Sequence, residues 1–530
     1  MFVVLPGASK DAARRRVADA LPRLRLIRSL RESGVRARAL ACVAGGLALA
    51  ISFPPADVGP LAFVALTPLL WAWRGAGPAR AALYGFLFGL GFFVVLLEWS
   101  RHFGAVAIVP LVVGEAGFIA GAGAIVAALD RRGLRSPWLT AVVWVVIEGA
   151  RARVPFGGMP WGELGMSMHD LPIVRSLAGV GGVALISFVL VVANGLLLDA
   201  FEASRRRARP SLRAARIGLA ALVLVTTLAH VVRYTPEVSG RLRFALLQGI
   251  DEDRTLTQEE IENSYLMRRH LRLADQLRGS YDLIVFPESA LERDPIRFDD
   301  VRENLVAVGA AHDATVLANA RTVDEDNEVS NSNMAYTPDG KLQGIYSKQH
   351  LVPFGEHVPL RGLLSFIGQL DQVPYDYEPG SDRVLFRAAG HRFATVICFE
   401  SAFAPLVRDF VNDGAELIVV TTNNRSYHRS GLSSQHLAMS QMRAVETARP
   451  VLHAAISGIT GVIDAEGDVL QETDLFERRI TEGTIATTTG DTLFVRLGDW
   501  VLLGCLLALL GISAVVTLRA RRASAVDSRP

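Results

Sequence analysis

Apolar positions in the first half of the chain run on instead of alternating. Long apolar stretches occupy about 38–54, 58–74, 81–99, 104–129, 137–151, 176–200 and 216–233, and one more lies near the end at 498–518. Most approach the roughly 20 residues that carry a helix across a bilayer; those at 58–74 and 137–151 are shorter. From about residue 240 to 490 the pattern changes to short β-type runs separated by amphipathic stretches. "RFALLQ" (243–248), "YDLIVFPES" (281–289), "ATVLANA" (314–320), "RFATVICFE" (392–400) and "AELIVVTTN" (415–423) read as strands, and 257–277, 300–312, 404–412 and 433–448 as helices. This alternation predicts an α/β fold. "NMAYTPDGKLQGIYSK" predicts a hairpin turning at Pro-Asp-Gly, and "HAAISGITGVIDAEGDVL" another turning at Glu466-Gly467. No internal repeat is visible.

Charge sorts these stretches into two sides. Arginine is dense in the leader before residue 38, in "RGAGPAR" (74–80), "DRRGLR" (130–135), "EASRRRARPSLRAAR" (202–216) and the tail "RARR" (519–522), whereas loops such as "FPPADVGP" (53–60) lack basic residues. The positive-inside bias then predicts about eight membrane helices with both termini in the cytoplasm. The expected organisation is a basic cytoplasmic leader (1–37), seven transmembrane helices (38–234), an extracytoplasmic unit (235–495), a final helix (496–518) and a cytoplasmic tail (519–530). Small residues suited to signal cleavage do not follow the first apolar run, so the first helix reads as an uncleaved anchor. The leader reads as a segment attracted to anionic lipid. Half of the 530 residues are hydrophobic, which disfavours a purely soluble protein, and a net charge of +2 names no partner.

Three cysteines are too few for a disulfide framework. Cys42 and Cys505 fall in apolar runs as small apolar side chains, whereas Cys398 lies in the α/β unit. It follows "FATVI" much as Glu288 follows "LIVFP", and Lys348 follows the first hairpin. In open α/β sheets, reactive groups gather beyond the carboxyl ends of strands. Taken singly, these residues read as a core cysteine and a surface ion pair. Together they make a coherent site: Lys348 lowers the thiol pKa and stabilises a tetrahedral intermediate, and Glu288 carries protons.

The local motifs favour the joint reading. "FPES" (286–289), "YSKQHLVPFGEHVPL" (346–360) and "ICFESAF" (397–403) resemble the nitrilase, or carbon-nitrogen hydrolase, superfamily, whose Glu-Lys-Cys triad maps to Glu288, Lys348 and Cys398. With "TTNN" (421–424), "SSQHLAMSQMRAVETARP" (433–450), "WVVIEGAR" (144–151) and "MPWGELG" (159–165), the chain resembles the apolipoprotein N-acyltransferase family more specifically. The resemblance implies an α-β-β-α sandwich joined to a multi-pass helical domain in a bacterial inner membrane. It implies transfer of a fatty acyl chain from a phospholipid, through a Cys398 thioester, to the α-amino group of a diacylglyceryl-cysteine apolipoprotein. It implies no cofactor and no metal. Glu356, Glu400 and Asn333 match supporting positions: Glu356 to orient Lys348 or assist proton transfer, Glu400 as backbone support or catalytic group, Asn333 as support or as a turn residue. The run Asn424-Arg425-Ser426-Tyr427 departs from the family's Asp-x-Trp-Phe, and Phe399 stands where tyrosine is frequent.

In the membrane part, Glu148 and Arg151 with Trp144 on the same helical face are candidates for an ion pair that anchors the "MPWGELG" loop. Trp161 belongs either to that loop's contact with the catalytic unit or to an interfacial aromatic belt. Glu115, inside an apolar run, is expected to face protein, with no role assigned. Two other functions compete: a membrane-tethered nitrilase-type amidase with water as acceptor, and a transporter or receptor with an inactive domain. The complete triad disfavours the latter. No metal cluster, phosphate-binding glycine loop or nucleic-acid patch is visible in the sequence.

Overall fold

The computed structural model describes residues 34–251, 256–364, 373 and 375–527; most of the basic leader lies outside them. Among the described residues, six helices are long and apolar enough to cross a membrane: α1 (Gly34–Ile51), α2 (Pro78–Leu96), α3 (Ala105–Asp130), α5 (Ala178–Arg205), α6 (Arg209–Val231) and α11, whose spanning part is Trp500–Arg519. The eight predicted segments are all helical, but two fall short of spanning length. α4 (Pro137–Arg151) has 15 residues and begins where Ser136 caps Trp138 N. The 58–74 run is broken into Gly59–Leu61, Ala62–Ala65 and Thr67–Trp73, because Pro60 and Pro68 restart the helix without an N–H to donate. Asn194, buried in α5, repairs the break. Its Oδ1 accepts from Leu66 N and Thr67 Oγ1 at 3.1 Å each, and its Nδ2 donates to Ala62 O at 2.9 Å. Backbone groups freed inside a membrane domain need such partners.

α5 is itself broken at Gly181-Gly182, where Gly182 takes φ +69° and a Cβ would meet the Phe494 ring at 2.7 Å. Glu446 from the α/β unit accepts from Val183 N at 3.0 Å, capping the second half of the helix.

The α/β unit contains two six-stranded sheets. The first has the order β12 (Arg479–Thr489), β1 (Glu237–Gln248), β2 (Leu283–Val285), β3 (Thr315–Val323), β4 (Val329–Tyr336), β5 (Leu342–Ser347). The second has the order β11 (Val469–Glu472), β10 (Gly461–Ile463), β9 (Val451–Ala455), β8 (Leu417–Thr422), β7 (His391–Ile397), β6 (Leu385–Ala388). Each holds a parallel trio, β1-β2-β3 in one and β7-β8-β9 in the other, flanked by antiparallel strands. That duplicated topology left no trace as a sequence repeat.

Both faces of the inner strands are buried, which is why they read as continuous apolar runs. On β1, Phe244 and Leu246 join the core between the sheets, while Ala245 and Leu247 join a separate core with Met267, Leu273 and Leu305. Those last residues come from α7 (Tyr265–Ala274) and α8 (Asp299–His312). α9 (Ala404–Asn412) and α10 (Leu432–Thr447) cover the other sheet, completing an α-β-β-α sandwich. α10 is buried nearly throughout, because it lies between that sheet and the membrane helices.

Candidate active site

Four strands deliver the site from their carboxyl ends. Lys348 follows β5 and Cys398 follows β7 directly, Asn423 follows β8, and Glu288 comes three residues after β2, just past Pro287. Proline cannot donate to a sheet ladder, so the strand ends and its acid turns away. Cys398 opens a short 3-10 turn, Cys398–Ala402, with φ +52°. A side chain in the left-handed region costs about 1–2 kcal/mol, so the turn must be held.

Glu400 does much of the holding. Fully buried, it accepts from Ile397 N at 2.7 Å, Gln349 N at 2.6 Å, His350 N at 3.2 Å and Tyr346 Oη at 2.9 Å. One carboxylate thus ties the turn carrying Cys398 to the turn carrying Lys348. Burial pushes its pKa up to about 7, against the pull of Ile397 N, Lys348 and its other donors.

Lys348 is 1% exposed, with Nζ 2.8 Å from Glu356 Oε1 and 3.8 Å from Glu288 Oε1. Burial works against its charge, yet Glu356, then Glu288 and Cys398 outweigh it, so the ammonium persists. Glu288 is aimed at both oxygens: Asn331 Nδ2 donates to Oε1 at 2.8 Å and Asn423 N to Oε2 at 2.7 Å. Burial raises its pKa, Lys348 opposes and Glu356 adds to the rise, which makes Glu288 a better proton acceptor than a solvated carboxylate. Cys398 is half-buried, and its thiol is pushed up to about 12, first by burial and next by Glu288, with Lys348 and a bond from Thr422 pulling the other way. Lys348 therefore acts in the expected direction but does not prevail. The site therefore favours the thiol form of Cys398 over the thiolate.

Asn333 sits in the middle of β4 instead of at a strand end. It bridges the two sheets, with Nδ2 2.6 Å from Thr395 Oγ1 and 2.9 Å from Thr421 Oγ1. The residue that meets the acids is Asn331, two positions earlier on the same face, which also donates to Glu356 Oε1 at 3.1 Å. Asn331 was not among the residues singled out from the sequence; its spacing of one strand period from Asn333 was the signal available, and the structure adds that Lys348 N donates to Asn331 O at 2.8 Å.

The membrane-side candidates are corrected in one respect. Arg151 pairs with Glu115, at 2.7 Å, and not with Glu148. The two helical neighbours point to different targets on one loop: Arg151 Nη1 also donates to Met159 O at 2.9 Å and Trp161 O at 2.8 Å, while Glu148 accepts from Leu164 N at 2.7 Å. Trp144 is buried beside them and lines a small void with Glu148 and Arg151. Trp161 is only 3% exposed, which excludes the aromatic-belt alternative. Its Nε1 donates to Gln435 Oε1 at 2.7 Å, and its ring lies nearly parallel to Phe399, the neighbour of Cys398, at 6.4 Å. Gln435 Nε2 reaches Pro54 O at 3.0 Å and Leu96 O at 3.1 Å, so one side chain of α10 gathers three membrane-side segments. The divergent loop takes part too, through Tyr427, which packs edge-on against Trp99 at 5.3 Å and Phe103 at 5.4 Å.

Residues 45–196 match the apolipoprotein N-acyltransferase N-terminal domain, and residues 254–492 match the carbon-nitrogen hydrolase family. Curated relatives named apolipoprotein N-acyltransferase align almost end to end. The protein from Methylococcus capsulatus is 32% identical, over 92% of this chain and 98% of its own. That from Geobacter metallireducens is 30% identical, over 92% and 96%. That from Photobacterium profundum is 29% identical, over 93% and 97%. With a carbon-nitrogen hydrolase sandwich seated on membrane helices and relatives that cover both parts, the chain is an acyltransferase and belongs to the apolipoprotein N-acyltransferase family.

Proposed function

We propose that this chain transfers a fatty acyl group from a membrane phospholipid to the α-amino group of the N-terminal diacylglyceryl-cysteine of apolipoproteins, with Cys398 as nucleophile, Glu288 as base and Lys348 as oxyanion partner. The observation that carries the reading is the convergence of these three side chains beside the Phe399–Trp161 contact, where the catalytic turn meets the membrane loops.

In the first half-reaction Cys398 Sγ bonds to the ester carbonyl carbon while Glu288 takes the thiol proton. The ammonium of Lys348 faces the oxygen that becomes negative. Collapse breaks the ester C–O bond, and Glu288 returns its proton to the leaving lysophospholipid hydroxyl. In the second half, the neutral amine attacks the thioester, Glu288 accepts its proton, and the thiol is regenerated as the amide forms. Both substrates keep their acyl chains in the bilayer, which avoids extracting them at about 0.8 kcal/mol for each methylene.

The same reading sets the catalytic unit (235–495) on the extracytoplasmic side of a bacterial inner membrane, with the leader (1–37), the tail (519–530) and both termini in the cytoplasm, as the arginine-rich loops favour. The helices at 38–234 and 496–518 then form its seat.

Detergent-solubilised protein incubated with phospholipid should gain one fatty acyl mass on Cys398, labile to hydroxylamine, with lysophospholipid released. A diacylglyceryl-cysteine peptide should then remove the acyl group as an amide. A folded protein that no phospholipid acylates overturns the proposal. Release of the chain only as free fatty acid, with the peptide present, would instead assign a membrane-tethered hydrolase of the amidase type.

A further inference from the structure

The segment "SSQHLAMSQ" places two consecutive polar side chains, Gln435 and His436, in the buried helix α10. Gln435 is consumed by membrane-side partners. His436, 1% exposed, turns toward the nucleophile: its Nε2 lies 2.9 Å from Cys398 O and 2.8 Å from Ser401 Oγ. A carbonyl oxygen only accepts, so Nε2 carries the hydrogen. Burial, followed by a smaller contribution from Lys348 and against the bond to Cys398 O, lowers the ring's pKa to about 4, so the imidazole is neutral and Nδ1 is free to accept. Nδ1 faces Thr422 Oγ1 at 3.4 Å and Asn424 Nδ2 at 3.5 Å, and Thr422 Oγ1 donates to Asn424 Oδ1 at 3.0 Å. Thr422 and Asn424 thus back the ring whose other nitrogen holds the carbonyl of Cys398.

The grip on the carbonyl has a mechanical consequence. Glu400 fixes the backbone one residue before Cys398, through Ile397 N. Among the described residues His436 is the side chain that holds the carbonyl after it. A cysteine at φ +52° between two such anchors has little room to rotate. His436 Nε2 already donates to oxygen and does not meet the sulfur, so it is not a second base for the thiol.

We propose that His436 is a positioning residue for the nucleophile, holding the Cys398 carbonyl and the Ser401 hydroxyl through Nε2–H so that Sγ is aimed at the acyl carbon. The inference rests on the reading of Cys398 as the nucleophile.

Single-turnover acylation of the full-length, detergent-solubilised protein by phospholipid tests it, with thermal melting measured in parallel. Glutamine can carry an N–H to the position of Nε2, and asparagine is too short. His436→Asn should lower the maximal acylation rate by about 100-fold, the loss that misplacement of a reacting group produces, with little change in the half-saturating phospholipid concentration. His436→Gln should recover much of that loss at a similar melting temperature. Wild-type rates in both variants overturn the proposal. Equal losses in both that track a drop in melting temperature overturn it as well, since they mark a merely structural histidine. Absence of acylation in the wild type would instead remove the nucleophile reading on which it stands.

Discussion

Asn331 donates from Nδ2 to Glu288 Oε1 across 2.8 Å, although Asn331 lies in β4 and Glu288 beyond the end of β2, 43 positions apart. Through the same nitrogen Asn331 also holds Glu356, so it sets the spacing of the two acids around Lys348. Asn331→Ala should slow Cys398 acylation by about 10- to 100-fold, because Glu288 loses its aim. Asn333→Ala should act differently. It leaves the hydroxyls of Thr395 and Thr421 short of a partner between the sheets, costing about 1–3 kcal/mol of stability. Acylation rates and melting curves on both variants separate the two effects; equal kinetic losses would refute the distinction.

The raised thiol predicts how Cys398 meets a small alkylating reagent. Only the thiolate reacts, so the rate of carboxamidomethylation should climb about tenfold per pH unit from about pH 7 to 10. Glu288→Gln removes a charge that opposes the thiolate, so it should speed alkylation while it abolishes acyl transfer. Lys348→Met should slow both. A plateau of the wild-type rate near neutral pH would mean a preformed thiolate and a different first step.

The buried pair of Arg151 and Glu115 lends itself to a double-mutant cycle. Breaking a buried pair from one side strands the other charge, so Arg151→Met and Glu115→Gln should each destabilise the protein by about 3–5 kcal/mol. The double variant should recover part of that loss. Arg151→Met should be the more damaging to acylation, since Arg151 also holds the carbonyls of Met159 and Trp161 in the loop beneath the catalytic turn. Additive losses in the double variant would show that the pair is not coupled.

Glu400 makes stability depend on pH in a stated direction. Its folded pKa, about 7, lies above the ordinary value of 4.5, so between these the folded state binds more protons than the unfolded one. Stability from this group is therefore complete below about pH 4.5 and falls as pH rises through 7, by about 3 kcal/mol in all. Wild-type protein should lose this increment between pH 5 and 7.5, and Glu400→Gln should show a flatter dependence over that interval. Parallel curves for the two proteins would contradict the assignment.

Much of this molecule is legible one residue at a time. A bilayer demands unbroken apolar length, and a strand buried on both faces demands the same at shorter range, so the membrane helices and inner strands announce themselves by composition. Glu288 and Cys398 stand out because each is a costly polar group at the end of an apolar run, Pro287 marking one end and the turn at Cys398 the other. Lys348, after a hairpin with a clear turn, is visible for a similar reason. Local rules reach that far because they depend on neighbours in the chain.

Partners across the fold are another matter. Glu148 lies one helical turn from Arg151 and is a candidate partner by spacing, yet the packing of α3 against α4 puts Glu115 at the guanidinium and sends Glu148 to Leu164 N. Asn331 and Asn333 share a face and a residue type, and only the register against β5 and the approach of the second sheet give one to the acids and the other to Thr395 and Thr421. His436 reads as one polar position in a helix until α10 is laid between the second sheet and the membrane segments. Sequence alone determined which segments are apolar enough to be buried and which polar residues stand at their ends. The tertiary structure decided which of them meet, because a hydrogen bond or ion pair depends on a few tenths of an ångström set by the packing of elements far apart in the chain.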